Sequence, residues 1–170
     1  MLTQGEVPAD AVCAALAAGR ARGARTILNP APAQPLPAKL LKLVSILTPN
    51  ETEAELLTGV KVTDDATAAQ AAEKLMKRGV QTVIVTLGAR GAFVASAEVR
   101  QRVPGFKVKP VDTVAAGDVF NGALAVALGE GQPLLDAVRF ANAAAAISVT
   151  RLGAQPSAPK RREIERLVRG

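Results

Sequence analysis

Val83-Ile84-Val85 restricts the possible folds of this chain more than any other segment. Consecutive β-branched residues with no polar alternation make a strand buried on both faces, and such strands belong to parallel sheets. Parallel neighbours need long crossovers, and the flanking sequence supplies them. Before the triplet, Ala68, Ala71, Ala72, Leu75 and Met76 recur at helical spacing. This predicts a helix capped by Asp64 or Asp65, running to Arg78 and stopped at Gly79. After the triplet, Leu87-Gly88-Ala89-Arg90-Gly91 reads as a turn.

The same alternation runs through the chain. Asp10 to Arg22 is alanine-rich and helical, with Gly23 as its stop. Arg25 to Leu28 is a strand closed by Asn29-Pro30-Ala31-Pro32, and a short helix follows near Lys39. Val44 to Leu47 is an apolar strand ending at Thr48-Pro49. Asn50 then caps a helix whose early Glu51, Glu53 and Glu55 suit the positive end of its dipole. Leu2-Thr3-Gln4 reads as the end of a strand. Ala92 to Ser96 and Gln101 to Val111 predict antiparallel strands. Helices are expected over Ala116–Leu128, Leu134–Thr150 and Lys160–Arg169. The expectation is one α/β domain over 1–170, a sheet with helices on both faces.

Composition narrows the chemistry. The chain has no histidine, no tryptophan, no tyrosine and four phenylalanines. Imidazole general bases and histidine metal sites are excluded, and base stacking on aromatic platforms is disfavoured. No apolar run reaches membrane-spanning length. With a single cysteine, Cys13, no internal disulfide forms, and Cys13 reads as a small packed residue. The N-terminus shows no targeting pattern, and a cytoplasmic protein with no nucleic-acid or membrane partner is expected. The net charge is +6, part of it in Lys160, Arg161, Arg162, Arg166 and Arg169, which outnumber Glu163 and Glu165. That tail reads as a solvated helix face, and the excess charge also suits an anionic ligand.

The segment Val111-Asp112-Thr113-Val114-Ala115-Ala116-Gly117-Asp118-Val119-Phe120-Asn121-Gly122-Ala123 carries the most chemistry. A strand is expected to end at Asp112, and small residues then open a helix. Small side chains admit a ligand to the backbone, and a helix start presents unpaired N–H groups to an anion. Asp118 in that turn either compensates the helix dipole or accepts a proton from a hydroxyl attacking a phosphoryl group. Spacing alone leaves both open.

This segment resembles the Asp-Thr-x-x-Ala-Gly-Asp-x-Phe signature of the ribokinase family of carbohydrate kinases. Further resemblances follow in order: Asn29-Pro30-Ala31-Pro32-Ala33, Thr48-Pro49-Asn50-Glu51-Thr52-Glu53 with its Asn-x-x-Glu, Thr86 to Gly91, Arg102-Val103-Pro104-Gly105-Phe106, and Gly153-Ala154-Gln155-Pro156-Ser157. The resemblance implies a ribokinase-like three-layer α/β/α sandwich and ATP-dependent phosphorylation of D-ribose to ribose 5-phosphate. It makes Asp118 the base that deprotonates the sugar's primary hydroxyl. The N–H groups of Ala115, Ala116, Gly117 and Asp118 become an anion hole. Asn50, Thr86, Leu87, Gly88, Ala89, Arg90, Gly91, Gly117 and Asn142 would bind the nucleotide. Glu6 and Asp118 would touch the sugar, and Glu53 would hold Mg2+ through water. Asp112, Val114, Ser148, Arg151, Gly153 and Ser157 would cradle a monovalent cation, usually K+.

Plainer roles stand beside these. Asn50 and Glu53 read as a helix cap with an acidic first turn, and Thr86 to Gly91 as a hairpin turn. Asn142 reads as a surface polar residue, and Glu6 as an exposed acid. The family's Gly-Gly-x-x-x-Asn sugar motif, first strands and β lid have no match in 1–170. The expected fold is therefore partial. A catalytically incompetent nucleotide-binding fragment, or half of a split kinase, is the alternative to an active kinase. The protein partner is accordingly a second copy of the chain or a missing N-terminal half.

Overall fold

The computed structural model describes residues 1–170. The chain divides into two compact units, residues 1–87 with 93–102, and residues 88–92 with 103–170. A single sheet of six strands runs in chain order, β1 (Leu2–Gln4), β2 (Ile27–Asn29), β3 (Ile46–Leu47), β4 (Thr82–Thr86), β5 (Gly91–Ala95) and β6 (Arg100–Pro104).

In the first unit β1 to β4 are parallel, with Leu2 opposite Ile27, Ile27 opposite Ile46, and Ile46 opposite Thr82. The crossovers are α1 (Ala9–Ala21), α2 (Ala38–Leu41), and the pair α3 (Glu51–Thr58) and α4 (Asp65–Lys77). Right-handed crossovers between strands taken in sequential order put these helices on one face of the sheet. Leu28, Leu47, Val83 and Val85 meet Leu16, Leu40, Leu41, Ala68, Ala71, Ala72 and Leu75 in one core. Ile27, Ile46 and Ile84 alternate to the opposite face and are buried as well. The sheet is thus buried on both faces, as the Val83–Val85 run predicts. Cys13 is partly buried against this core.

Between the two candidate caps of α4 it is Asp64 that serves: its carboxylate accepts the Thr67 N–H at 2.8 Å. Asp65 is the first helical residue and pairs with Arg102 at 3.5 Å. β4 and β5 are adjacent strands joined by residues 87–90, and β5 and β6 by residues 96–99. Connections this short oblige both pairs to run antiparallel.

The second unit is helical: α5 (Ala116–Gly129), α6 (Leu134–Ser148) and α7 (Arg161–Arg169). Phe120, Leu124 and Ala127 on α5, Ala137, Ala141 and Ala144 on α6, and Ile164 on α7 are all buried. The many alanines let α5 and α6 pack closely. The basic residues of the tail, Lys160, Arg161, Arg162, Arg166 and Arg169, are exposed to solvent. Arg161 pairs with Glu130 and Glu165 and lies 5.6 Å from the Phe140 ring centroid. No helix is long and apolar enough to cross a membrane.

The structure corrects the expected strand over Gln101–Val111, which stops at Pro104. Prolines at 104 and 110 offer no N–H to a ladder. Accordingly no strand ends at Asp112, and the N–H groups of Val111 and Asp112 both donate to Val149 O, at 2.7 and 3.1 Å. α6 likewise ends two residues short of Thr150, where the Ser148 and Thr150 hydroxyls donate back to Ala145 O and Ile147 O.

Gly91 opens β5 with φ +97°, and a Cβ there would stand 2.2 Å from Val103 O. Gly91→Ala is expected to lower stability by at least about 2 kcal/mol, because strain and a backbone clash add. Urea unfolding of the variant beside the parent measures it.

Candidate functional site

Parallel α/β sheets bind ligands beyond the carboxyl ends of their strands, and in the first unit those ends gather several of the singled-out residues. Asn50 follows β3 and caps α3. Its Oδ1 accepts the Glu53 N–H at 2.8 Å, while Glu53 Oε2 accepts the Asn50 N–H at 2.8 Å and Oε1 accepts from Nδ2 at 3.0 Å. The sequence thus folds locally as a capping box. The plainer cap reading of Asn50 and Glu53 holds, and it leaves carboxylate lone pairs available, since each oxygen accepts more than one bond. Glu53 is only 5% exposed. Burial raises its pKa above the ordinary 4.5, and the Asn50 N–H opposes this.

Thr86 ends β4 next to Asn50, with its N–H donating to Pro49 O at 2.9 Å. Leu87 is a buried core side chain. Past the end of β1, Gly5 donates its N–H to Ala31 O at 2.9 Å, and Glu6 is exposed beside it. Asn29 is buried and donates to Thr48 O at 3.1 Å, tying the ends of β2 and β3.

In the second unit Gly88–Arg90 forms a 3-10 turn, with Gly88 at φ +55°. The turn is held by Gly105, whose N–H reaches Arg90 O at 3.3 Å.

Ala115, the N-cap of α5, has φ +59° and is the only non-glycine residue with positive φ. Strain of this kind concentrates at functional positions. A left-handed residue leading into a right-handed helix turns successive N–H groups toward one concavity, a geometry that suits anions. Among the four expected anion-hole donors, Ala116 already donates, at a long 3.3 Å, to Thr113 O. Gly117 and Asp118 are exposed, and a Cβ on Gly117 would meet nothing within 4 Å. Asp118, at the third helical position, lines a largely apolar cavity of about 500 Å³ with Val119, Gly122, Val126, Phe140 and Ile164.

Just upstream, Asp112 joins two turns: Oδ1 accepts the Val114 N–H at 3.0 Å and Oδ2 the Gly153 N–H at 2.9 Å. These N–H groups, Val114 first, hold its pKa below the ordinary 3.8. Ser148 and Ser157 are buried, and Ser157 donates its hydroxyl to Ala154 O. The Arg151 guanidinium points to Glu163 Oε1 at 2.5 Å. Asn142 corrects the surface reading, since it is buried and donates to Val103 O at 3.1 Å and Pro104 O at 3.3 Å. Sequence reasoning missed Glu163 as a partner, although Lys160-x-x-Glu163 has the spacing of a capping box.

No three Asp, Glu, His or Cys side chains come together as a metal cage. A buried carboxylate with spare lone pairs at Glu53 still fits water-mediated Mg2+, which keeps several waters. The ionised, doubly anchored Asp112 fits a hard cation that wants oxygen.

Comparison with known proteins decides the family. Residues 2–161 match the pfkB family carbohydrate kinase profile. The chain belongs to the pfkB family of carbohydrate kinases. It is 48% identical over 163 residues to the ribokinase of Haemophilus influenzae, covering 96% of this chain and 53% of that protein. The Thermotoga maritima ribokinase structure superposes with TM-score 0.88 at 44% identity, over 99% of this chain and 56% of that one. Arabidopsis thaliana ribokinase complexed with ribose and ATP gives TM-score 0.92 at 35% identity, over 99% and 55%. The α/β fold of this pfkB-family chain is therefore ribokinase-like and partial, and the chain spans about half the length of the relatives it matches.

Burial of Glu53 gives this pfkB-family chain a testable pH signature. Its folded pKa lies above the unfolded value, so its stabilising contribution is complete below about pH 4.5 and is lost as pH rises through the folded pKa. Glu53→Gln carries no such titration. Stability of the parent minus that of the variant, from urea curves between acid and neutral pH, should fall as pH rises. A rising difference would contradict the burial argument.

Proposed function

We propose that this chain carries the nucleotide-binding and phosphoryl-transfer groups of a ribokinase-type sugar kinase, which phosphorylates D-ribose at its primary 5-hydroxyl with ATP. The observation that carries the reading is the opening of α5. There an alanine is held in the left-handed region, and a carboxylate follows three residues later at the wall of a cavity. A carboxylate at a site suited to anions has a purpose if it takes up a proton. The likeness to ribokinases, including one complexed with ribose and ATP, supports the same assignment.

In this reading Asp118 accepts the proton as the sugar hydroxyl oxygen bonds to the γ-phosphorus. The bond from that phosphorus to the β–γ bridging oxygen breaks, and ADP leaves. The N–H groups of Ala115, Ala116, Gly117 and Asp118 offset the charge that builds on the transferring phosphoryl group, with Ala116 first releasing Thr113 O. Asn50, Asn142 and residues 86–91 with Gly117 position the nucleotide, and Glu6 the sugar. For Asn142 this role falls to Oδ1, because its Nδ2 is committed to backbone carbonyls. Glu53 holds Mg2+ through water, which supplies neutralisation of phosphate charge. Asp112 through its carboxylate, with Val114, Ser148, Arg151, Gly153 and Ser157 mostly through main-chain atoms, would hold K+. A cytoplasmic location belongs to the same reading, and it rests on the lone cysteine and the nucleotide substrate.

Asp118→Asn should reduce ribose-dependent ADP release on the order of a hundredfold or more, with nucleotide binding retained, because the base is lost and the fold is not. A coupled ATP-consumption assay with ribose, Mg2+ and K+ measures it. Equal turnover by parent and variant, or turnover indifferent to ribose, would overturn the assignment.

A further inference from the structure

The Arg151 side chain ends on α7, where Glu163 Oε1 accepts from its Nη2 at 2.5 Å. Glu163 is fixed there in its own right, because its other oxygen accepts the Lys160 N–H at 2.8 Å at the start of the helix. The Lys160 N–H, followed by the Arg151 guanidinium, keeps this carboxyl below its ordinary 4.5 and therefore charged at neutral pH. Arg151 is also tied by its backbone, with its N–H on Ser148 O at 3.0 Å. Two residues later Gly153, at φ +84°, gives its N–H to Asp112 Oδ2. One continuous set of links therefore runs from the first turn of α7 through Glu163, Arg151 and Gly153 to the Asp112 carboxylate.

We propose that the Arg151–Glu163 pair is a positioning element for the monovalent-cation site, anchoring the turn after α6 to α7 and so fixing where Gly153 stands against Asp112. The inference rests on the reading of Asp112 as a cation ligand. Neither side chain needs to touch the cation. The turn's own tethers are the Arg151 N–H on Ser148 O and the Gly153 N–H on Asp112, and neither reaches α7. A guanidinium–carboxylate pair is directional enough to supply that link. Supporting residues of this kind typically change metal affinity by tenfold or more when removed.

The test titrates K+ against the parent, Arg151→Met and Glu163→Gln at constant ionic strength, with tetramethylammonium as the replaced ion. The readout is the rise in unfolding temperature as K+ binds the folded chain. The parent should show a saturable rise. Each single variant should shift the half-saturating K+ concentration upward on the order of tenfold. The exchanged pair Arg151→Glu with Glu163→Arg should move it back toward the parent. Arg151→Lys, which keeps the charge without the fork, should fall between and serves if a bolder variant does not fold. Variants that unfold at lower temperature without K+ but keep the parent's half-saturation would overturn the proposal, since the pair would then be structural only. A parent indifferent to K+ would overturn the cation reading itself, and this inference with it.

Discussion

Parallel strands cannot be joined by a tight turn, and most of the first unit follows from that constraint. β1 to β4 lie side by side in chain order, so each connection must leave the sheet, cross one face and return. The helices that make these crossings are amphipathic because one side meets Leu28, Leu47, Val83 and Val85. The same geometry brings every loop that follows a strand to one edge. Glu6, Asn50 and Thr86, far apart in sequence, therefore share the carboxyl ends of the strands. The placement of these three candidate residues is thus a consequence of sheet topology.

The second unit is organised by hydrogen bonds that stand in for missing regular structure. Residues 105–115 belong to no helix or strand, and their polar groups must still be satisfied. Val149 O takes two N–H groups and the Asp112 carboxylate takes two more, pinning this stretch to the end of α6. The strained Ala115 then begins α5. A left-handed alanine costs on the order of 1–3 kcal/mol and persists only where its surroundings over-determine it. Asp112 supplies part of that determination, since the N–H it binds belongs to Val114, next to Ala115.

Periodicity made the helices legible, because burying one face imposes a spacing that survives in the residues themselves. α1, α4, α5 and α7 lie within about two residues of expectation, the usual latitude for helix ends. The Val83–Val85 run also revealed a sheet buried on both faces. Strand ends were harder, since Gln101 to Val111 is rich in strand formers but has its donors removed by proline. The site was legible mainly through motif resemblance. Alanine has no preference that announces a left-handed conformation, so Ala115 is invisible until the backbone is seen. Asn142 looked like a surface residue because a lone amide on an apolar helix gives no hint of its acceptors, which lie about forty positions earlier in the chain at Val103 and Pro104.

The candidate chemistry and the fold draw on the same atoms, and this limits how far either can change alone. Asn50 and Glu53 complete α3 by satisfying each other, so a nucleotide or magnesium water there must use valences the capping box leaves over. In the proposed reading Ala116 would exchange its long bond to Thr113 O for one to a phosphoryl oxygen. That exchange is inexpensive because the existing bond is weak, whereas the 2.9 Å bond from Gly153 to Asp112 is not easily given up. The softer contact lies where an anion would arrive and the firmer one where a carboxylate must stay fixed. A helix start so arranged can respond to a ligand while the turn beside it holds still.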